Sequence, residues 1–453
     1  MRALLAPQQE ATLSSRMEGT LDELADFLTD GYWNANGASG RAFDTSGSNQ
    51  ITVNLTALTA DGQQLARWAL EAWEMVADIE FVEVTSGGDI TFDDNNSGAY
   101  STSTLSGGTI VSSHVNVSTA WIAAYGTTMD SYSFQTYIHE IGHALGLGHQ
   151  GGYNGAATYG VDEDFSNDSW QISIMSYFSQ TENTTTNANF AWLLTTMMAD
   201  IVAIQNLYGA PGASSATAGD TIWGANTNLG NYLGLLLDSV ISGNTSGIYD
   251  GEDVALTIYD QGGTDTLDLT PSTTNDTVRM TDEQFSDILG GTGNLGIARG
   301  TIIENLLAGS GNDLIFGNMV ANNISGNNGS DTIWAAGGND TVAGGAGADE
   351  LGGGGGDDRL WGGGDNDTLW GGRGNDILGG DAGNDSMGAN ADNDTLYGGK
   401  DQDIVYGNIG ASSRLDFTVM GHSVNLVARI QGVAGAMNEP LLVSTAVAEH
   451  LEG

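Results

Sequence analysis

Three of the six histidines in this chain fall within eleven residues, His139-Glu-Ile-Gly-His143-Ala-Leu-Gly146-Leu-Gly-His149. On a helix, His139 and His143 stand one turn apart on the same face, so both imidazoles reach one ion. Glu140 lies beside them, placed to act on a water at that ion rather than to bind the ion. Gly146 can end the helix and turn the chain, bringing His149 back as a third ligand. Three neutral nitrogens with an open fourth position describe a catalytic zinc site. Downstream comes Ser173-Ile-Met175-Ser-Tyr177. His114 belongs to no motif.

A second set of residues suits a different ion. In steps of nine the chain places Asp313, Asn322, Asp331, Asp340, Asp349, Asp358, Asp367, Asp376, Asp385, Asp394 and Asp403. Two residues after each stands an apolar side chain, from Ile315 to Val405, and glycines mostly fill the positions before it. One apolar residue in nine cannot make a core alone, but stacked repeats make a continuous solenoid interior. Each unit is then a glycine turn and a three-residue strand, with successive strands alternating between two sheets. Glycine permits positive-φ turns, where backbone carbonyls and the Asp carboxylate converge on a hard cation such as calcium. The expected calcium ligands are Asp331, Asp340, Asp349, Asp358, Asp367, Asp376 and Asp385. Asn322, and the unit with Ala389-Asn390 before Asp394, depart from the pattern, and it does not support calcium at those turns.

Other elements must hold the histidines. Thr20-Leu-Asp-Glu23 reads as a capping box before a helix carrying Leu21, Leu24, Phe27 and Leu28, stopped at Gly31. Ile51, Val53 and Leu55 alternate as a strand does, and a helix follows with Leu65, Trp68, Ala72, Met75 and Val76 on one face. Strands are predicted at Phe81–Val84 and Asp89–Asp93. The histidine helix runs from about Tyr132 to Leu145, burying Phe134, Ile138, Ile141 and Leu145. A last helix is predicted from Leu193 to Leu207. A linker, Ala210–Ala218, follows; beyond it helical periodicity disappears and short strand-like pieces begin, such as Asp220–Trp223 and Leu256–Asp260. The fold class is thus an α+β catalytic domain followed by an all-β parallel roll.

The extended histidine motif, the later methionine turn and the Asp register together resemble the serralysin family of metzincin zinc endopeptidases with RTX calcium-binding repeats. The likeness covers roughly residues 20–405, including His149-Gln-Gly-Gly-Tyr-Asn154 and Asp200–Gly209. It implies that Met175 forms an apolar floor beneath the zinc ligands. It also implies that Tyr177 is an extra zinc ligand at rest and swings to bond the tetrahedral intermediate. Residues 20–210 would be the protease domain and 211–405 the calcium roll. Residues 1–19 would be a propeptide or disordered leader. The tail, 406–453, resembles a fragment of a class III nucleotide cyclase: Asn425 and Arg429 match that family's transition-state pair and Thr418 its base-contacting position. The front half of such a domain is missing, so the tail is read as a remnant, a fusion artefact or an end cap for the solenoid.

Composition narrows the partners. Eleven Lys and Arg face 57 Asp and Glu, a formal charge of −46, which repels nucleic acid and anionic lipid. No run approaches the ~20 apolar residues of a membrane helix. Cysteine is absent, which excludes disulfides and thiolate metal sites. The expectation is a secreted, monomeric endopeptidase with one catalytic zinc and several structural calcium ions. It would act on protein or peptide substrates and be exported by type I secretion machinery. The competing reading is a non-enzymatic surface-binding or adhesion protein with a vestigial protease domain; the intact His139, Glu140, His143, His149, Met175 and Tyr177 argue against decay.

Overall fold

The computed structural model describes residues 16–242, 247–406, 419–421 and 424–425. The leader before residue 16, and Thr418 and Arg429 of the tail, lie outside the described residues. Thr20 caps the first helix, Leu21–Asp26, through the reciprocal box with Glu23. The expected stop at Gly31 does not occur. The chain widens into a π turn over Phe27–Gly31 and continues as Tyr32–Ala35. Gly31 stays right-handed at φ −57°, and its missing Cβ makes room for the Phe27 ring. The chain turns away at Gly37, at φ 70°.

Five strands follow: β1 (Gln50–Ala57), β2 (Glu80–Glu83), β3 (Ile90–Asp93), β4 (Ala99–Ser106) and β5 (Thr109–Val117). Their order is β2-β1-β3-β5-β4. All pairings are parallel except β4 on β5, which leaves β4 as an antiparallel edge. The helix Ala60–Glu74 and the histidine helix Tyr132–Leu145 pack together, and the Trp73 indole N–H donates to the Ile138 carbonyl at 3.0 Å. That bond ties the first turn of the zinc motif to the neighbouring core helix.

The closing helix begins at Met198, not Leu193. Asp200 accepts the Met197 N–H at 2.8 Å and so fixes the helix start there. Trp192–Leu193 instead form a strand, parallel to Val254–Ile258 of the following half. The two halves therefore share a sheet. Among the described residues beyond the linker, helical structure also returns at Tyr232–Ser242, where Leu233, Leu236 and Leu237 are buried. That spacing was a helical signal inside a glycine-rich, strand-like stretch.

Phe285–Ser286 and Leu295–Ile297 complete a four-stranded sheet with Trp192–Leu193 and Val254–Ile258, and the other strands divide between an eight-stranded and a nine-stranded sheet. Strands pair in parallel with those eighteen residues away, as Ile324 does with Val342 and Ile333 with Leu351. Each apolar residue of the register, Ile315 through Val405, is buried between the sheets. Most strands from Asn323 on reach six residues rather than three, because the glycines after the apolar residue also pair, as Gly354 does with Gly372. In the tail, Val419–Gly421 and Val424–Asn425 add one strand to each sheet. Among the described residues no helix is long and apolar enough to cross a membrane.

Candidate metal centre

The histidine helix starts at the Ser131 hydroxyl, which accepts the Phe134 N–H, and ends at Gly146 in the left-handed region at φ 118°. A Cβ at Gly146 would also collide with the Arg41 carbonyl, so only glycine makes this turn. His139 faces the Ile174 carbonyl at 2.8 Å, His143 the Leu147 carbonyl at 2.8 Å and His149 the Tyr153 carbonyl at 3.0 Å, each through Nδ1. A carbonyl only accepts, so each Nδ1 carries the proton and each Nε2 keeps its lone pair. The ligand atoms of the three rings lie within 4.8 Å of one another, and Nε2 of His143 and His149 are 2.9 Å apart. Lone pairs this close repel unless a cation sits among them. Burial pushes His139 down to about 4 and His143 to about 3, and holds His149 well below its ordinary value; neighbouring imidazoles add to the effect on the last two. The donor set is neutral and suited to a metal ion.

Glu140 is buried beside the histidines, with Oε2 lacking any hydrogen-bond partner. Burial lifts its carboxyl to about 8. Met175 is fully buried against the helix: a Cβ on Gly142 would lie 2.7 Å from its sulfur and 2.9 Å from the Trp73 ring. The Tyr177 ring stands 4.4 Å from that of His149 and 6.1 Å from that of His139. Its hydroxyl accepts only a long 3.4 Å bond from the Gly155 N–H. All residues singled out around the zinc motif are thus brought to one place. His114 lies elsewhere, with Nδ1 3.0 Å from the Thr91 hydroxyl and Nε2 3.5 Å from Asp93.

Three supporting residues had no assigned role in the motif. Buried Asp200 takes the Ser173 hydroxyl and the Ile174 N–H, both at 2.7 Å, and so steadies the carbonyl that orients His139. Tyr153 lends its carbonyl to His149 and its hydroxyl to buried Asp168, at 3.0 and 3.2 Å from the two oxygens. The same hydroxyl accepts the Tyr177 N–H at 3.2 Å. Burial lifts Asp168 to about 7 and Asp200 to about 6. Asp200 was readable as a helix-start acid; Asp168, in a loop, offered no pattern.

Along the roll, one carboxylate oxygen of each register Asp from Asp331 on accepts a backbone N–H from eighteen residues earlier, and that of Asp313 accepts the Asp276 N–H. Asp331 donates to Asp349 Oδ1 at 2.8 Å, and Asp349 to Asp367 Oδ1 at 2.9 Å. The other oxygen, Oδ2, is buried without a partner at Asp331, Asp340, Asp349, Asp358, Asp367, Asp376 and Asp385. Asp265, Asp276, Asp313 and Asp403 share this state. Asp265 and Asp276 precede the nine-residue register, and only their Asp-Thr-apolar triplets marked them. A row of buried anionic oxygens lacking donors fits bound cations. Asn322 behaves differently: its amide N–H groups go to Asn318 Oδ1 at 3.0 Å and the Glu304 carbonyl at 3.3 Å. Burial lifts Asp331 and Asp367 to about 7. It lifts Asp340, Asp349, Asp358, Asp376 and Asp385 to about 6.

Fold and site together define a metallopeptidase with a three-histidine centre and a parallel β-roll behind it. The family model for the peptidase M10 serralysin C terminus matches residues 214–439. Metallopeptidase AprA of Pseudomonas marginalis is 35% identical over 348 residues, covering 69% of this chain and 68% of that protein. Metalloprotease AprA of Pseudomonas entomophila strain L48 is 36% identical over 57% of this chain and 53% of its own. Serralysin B of Dickeya chrysanthemi is 33% identical over 62% and 60% respectively. The chain belongs to the serralysin-type metallopeptidases of the M10 family.

Proposed function

We propose that this chain is a secreted, zinc-dependent endopeptidase of extracellular proteins whose C-terminal half folds around calcium. The observation that carries the reading is the convergence of three Nε2 lone pairs beside the unpartnered carboxyl of Glu140. Three neutral nitrogens favour zinc over hard ions. Held by His139, His143 and His149, zinc supplies Lewis acidity that polarises a scissile carbonyl and activates water. Glu140 takes the proton of the attacking water and delivers it to the leaving amine. The Tyr177 hydroxyl, weakly tethered by Gly155, is able to change partner: a further ligand at rest, and a donor to the oxyanion during turnover. An extended substrate pairs along the β4 edge.

The unpartnered Oδ2 atoms support calcium in the roll, because carboxylate and backbone oxygens are its ligands. In a low-calcium cytoplasm the same carboxylates repel and keep the repeats loose for export; outside, calcium folds them. The test of the chemistry is Glu140→Gln. That variant keeps its zinc by elemental analysis and loses casein hydrolysis by about 10²–10⁴-fold. Turnover near that of the unaltered enzyme overturns the assignment of the base.

A further inference from the structure

In the roll, the buried apolar residue of each strand points inward, and the residues flanking it point outward. On the eight-stranded sheet, the outward residues that follow it include Trp334, Gly352, Trp370 and Gly388, on the strands Thr332–Trp334, Glu350–Gly355, Thr368–Arg373 and Ser386–Ala391. These four are neighbours in register across the sheet. Tryptophan and glycine therefore alternate over these four strands, with Phe316 beside Trp334 in the same row. Each indole lies down over the next glycine: a Cβ on Gly352 would strike the six-membered ring of Trp334, and one on Gly388 that of Trp370. The glycines are buried and the tryptophans only half-buried, so part of each tryptophan stays open to solvent. Two strand spacings put the indoles about 10 Å apart. That is close to the disaccharide repeat of an extended β-1,4-linked glycan, in which every second sugar offers the same face.

A polar row runs beside the aromatic one. The outward residues that precede the buried position are Thr332, Glu350, Thr368 and Ser386, again in register. Three hydroxyls and an exposed carboxylate are the partners that sugar hydroxyls require. The apolar C–H face of a pyranose stacks on an indole, whose large flat surface costs little conformational entropy to present. Charge selects among glycans and among other occupants. With a formal charge of −46, the chain repels a polyanionic polysaccharide and a second copy of itself. We propose that this face of the roll binds a neutral β-1,4-linked polysaccharide, of the cellulose or chitin class, and anchors the peptidase on an insoluble surface.

The experiment mixes the calcium-saturated full chain with microcrystalline cellulose and with chitin, and measures the protein left in solution. The unaltered chain is expected to deplete saturably onto at least one solid and to be eluted by the corresponding soluble hexasaccharide. The double variant Trp334→Ala/Trp370→Ala is expected to bind at least tenfold more weakly, with casein hydrolysis unchanged. Flat tryptophans over glycines also stabilise a sheet by packing, so the variant's calcium-dependent circular dichroism is recorded alongside. If the variant does not fold, hexasaccharide elution of the unaltered chain decides instead. Failure to deplete on both solids, failure of elution, or undiminished binding by a folded variant each overturns the proposal. So does concentration-dependent self-association that the double variant abolishes.

Discussion

At the histidine centre the ligand atoms are neutral nitrogens, each aimed by a carbonyl on the far side of its ring. Along the roll they are carboxylate oxygens, one held by a backbone N–H and the other left buried with nothing. In the first arrangement the protein's own carbonyls aim each ring, and a cation has only to offset the repulsion between the close Nε2 lone pairs. Burial favours neutral imidazole, and Trp73, Met175 and Asp200 hold the surroundings in place. The second is incomplete by itself, because burial and neighbouring carboxylates oppose its charge. Zinc should therefore be needed for chemistry and calcium for folding.

The largest break between the two regions comes from removing one ion at a time. An unpartnered buried carboxylate costs several kcal/mol, and a domain's whole stability is about 5–15 kcal/mol. Calcium withdrawal is thus expected to move the unfolding transition of the roll to a much lower temperature, followed by calorimetry. A zinc-selective chelator in excess calcium is expected to leave that transition in place. An unchanged roll in calcium-free buffer would remove the distinction.

Acid provides the next contrast. In the calcium-free roll, the folded carboxyls titrate near 6 to 7, above their ordinary value near 3.9 in an unfolded chain. The folded state then binds more protons across that window, so its stability falls as pH rises through 6 to 7 and is regained below it. Calcium reverses the sign, because it requires the ionised form. Urea melts at pH 5.0 and 7.5, with and without calcium, test this; the same direction in both buffers would contradict it.

Smaller effects sharpen each region separately. Tyr153→Phe removes the hydroxyl shared by Asp168 and the Tyr177 N–H, at a cost of about 1–3 kcal/mol. The expected result is a kcat roughly tenfold lower with unchanged zinc content; a fall in zinc content with kcat per zinc preserved would make Tyr153 only a support for His149. Asp349→Asn imitates Asn322. It should weaken calcium binding at one turn, costing about 1–3 kcal/mol in calcium, yet slightly stabilise the calcium-free chain. Destabilisation in both buffers would mean that this carboxylate is not a cation ligand.

Strict periodicity made the histidine helix legible to its end residues, and the same holds for the Asp register and the two alternating sheets. What stayed hidden lacked a period. Strand β4 is Ser- and Thr-rich with few apolar residues, and in β5 Ser112-Ser-His114 interrupts the apolar positions, so alternation is faint. The closing helix begins at Met198 because a buried Asp200 caps it, and apolar spacing alone runs on past that point. Gly31 reads as a helix stop, but it serves to seat the Phe27 ring. Asp168 meets Tyr153 and the methionine turn only in three dimensions, so no local pattern could announce it. At the metal centre the ligands were therefore legible and their supports were not.

The most direct measurement is casein hydrolysis as zinc is returned to calcium-saturated, zinc-stripped enzyme. The expected rate is nil at the start, rises in proportion to added zinc and breaks at one equivalent, with circular dichroism constant throughout. Hydrolysis that persists without zinc, or that returns only as the roll refolds, would contradict a preformed catalytic centre beside a calcium-built scaffold.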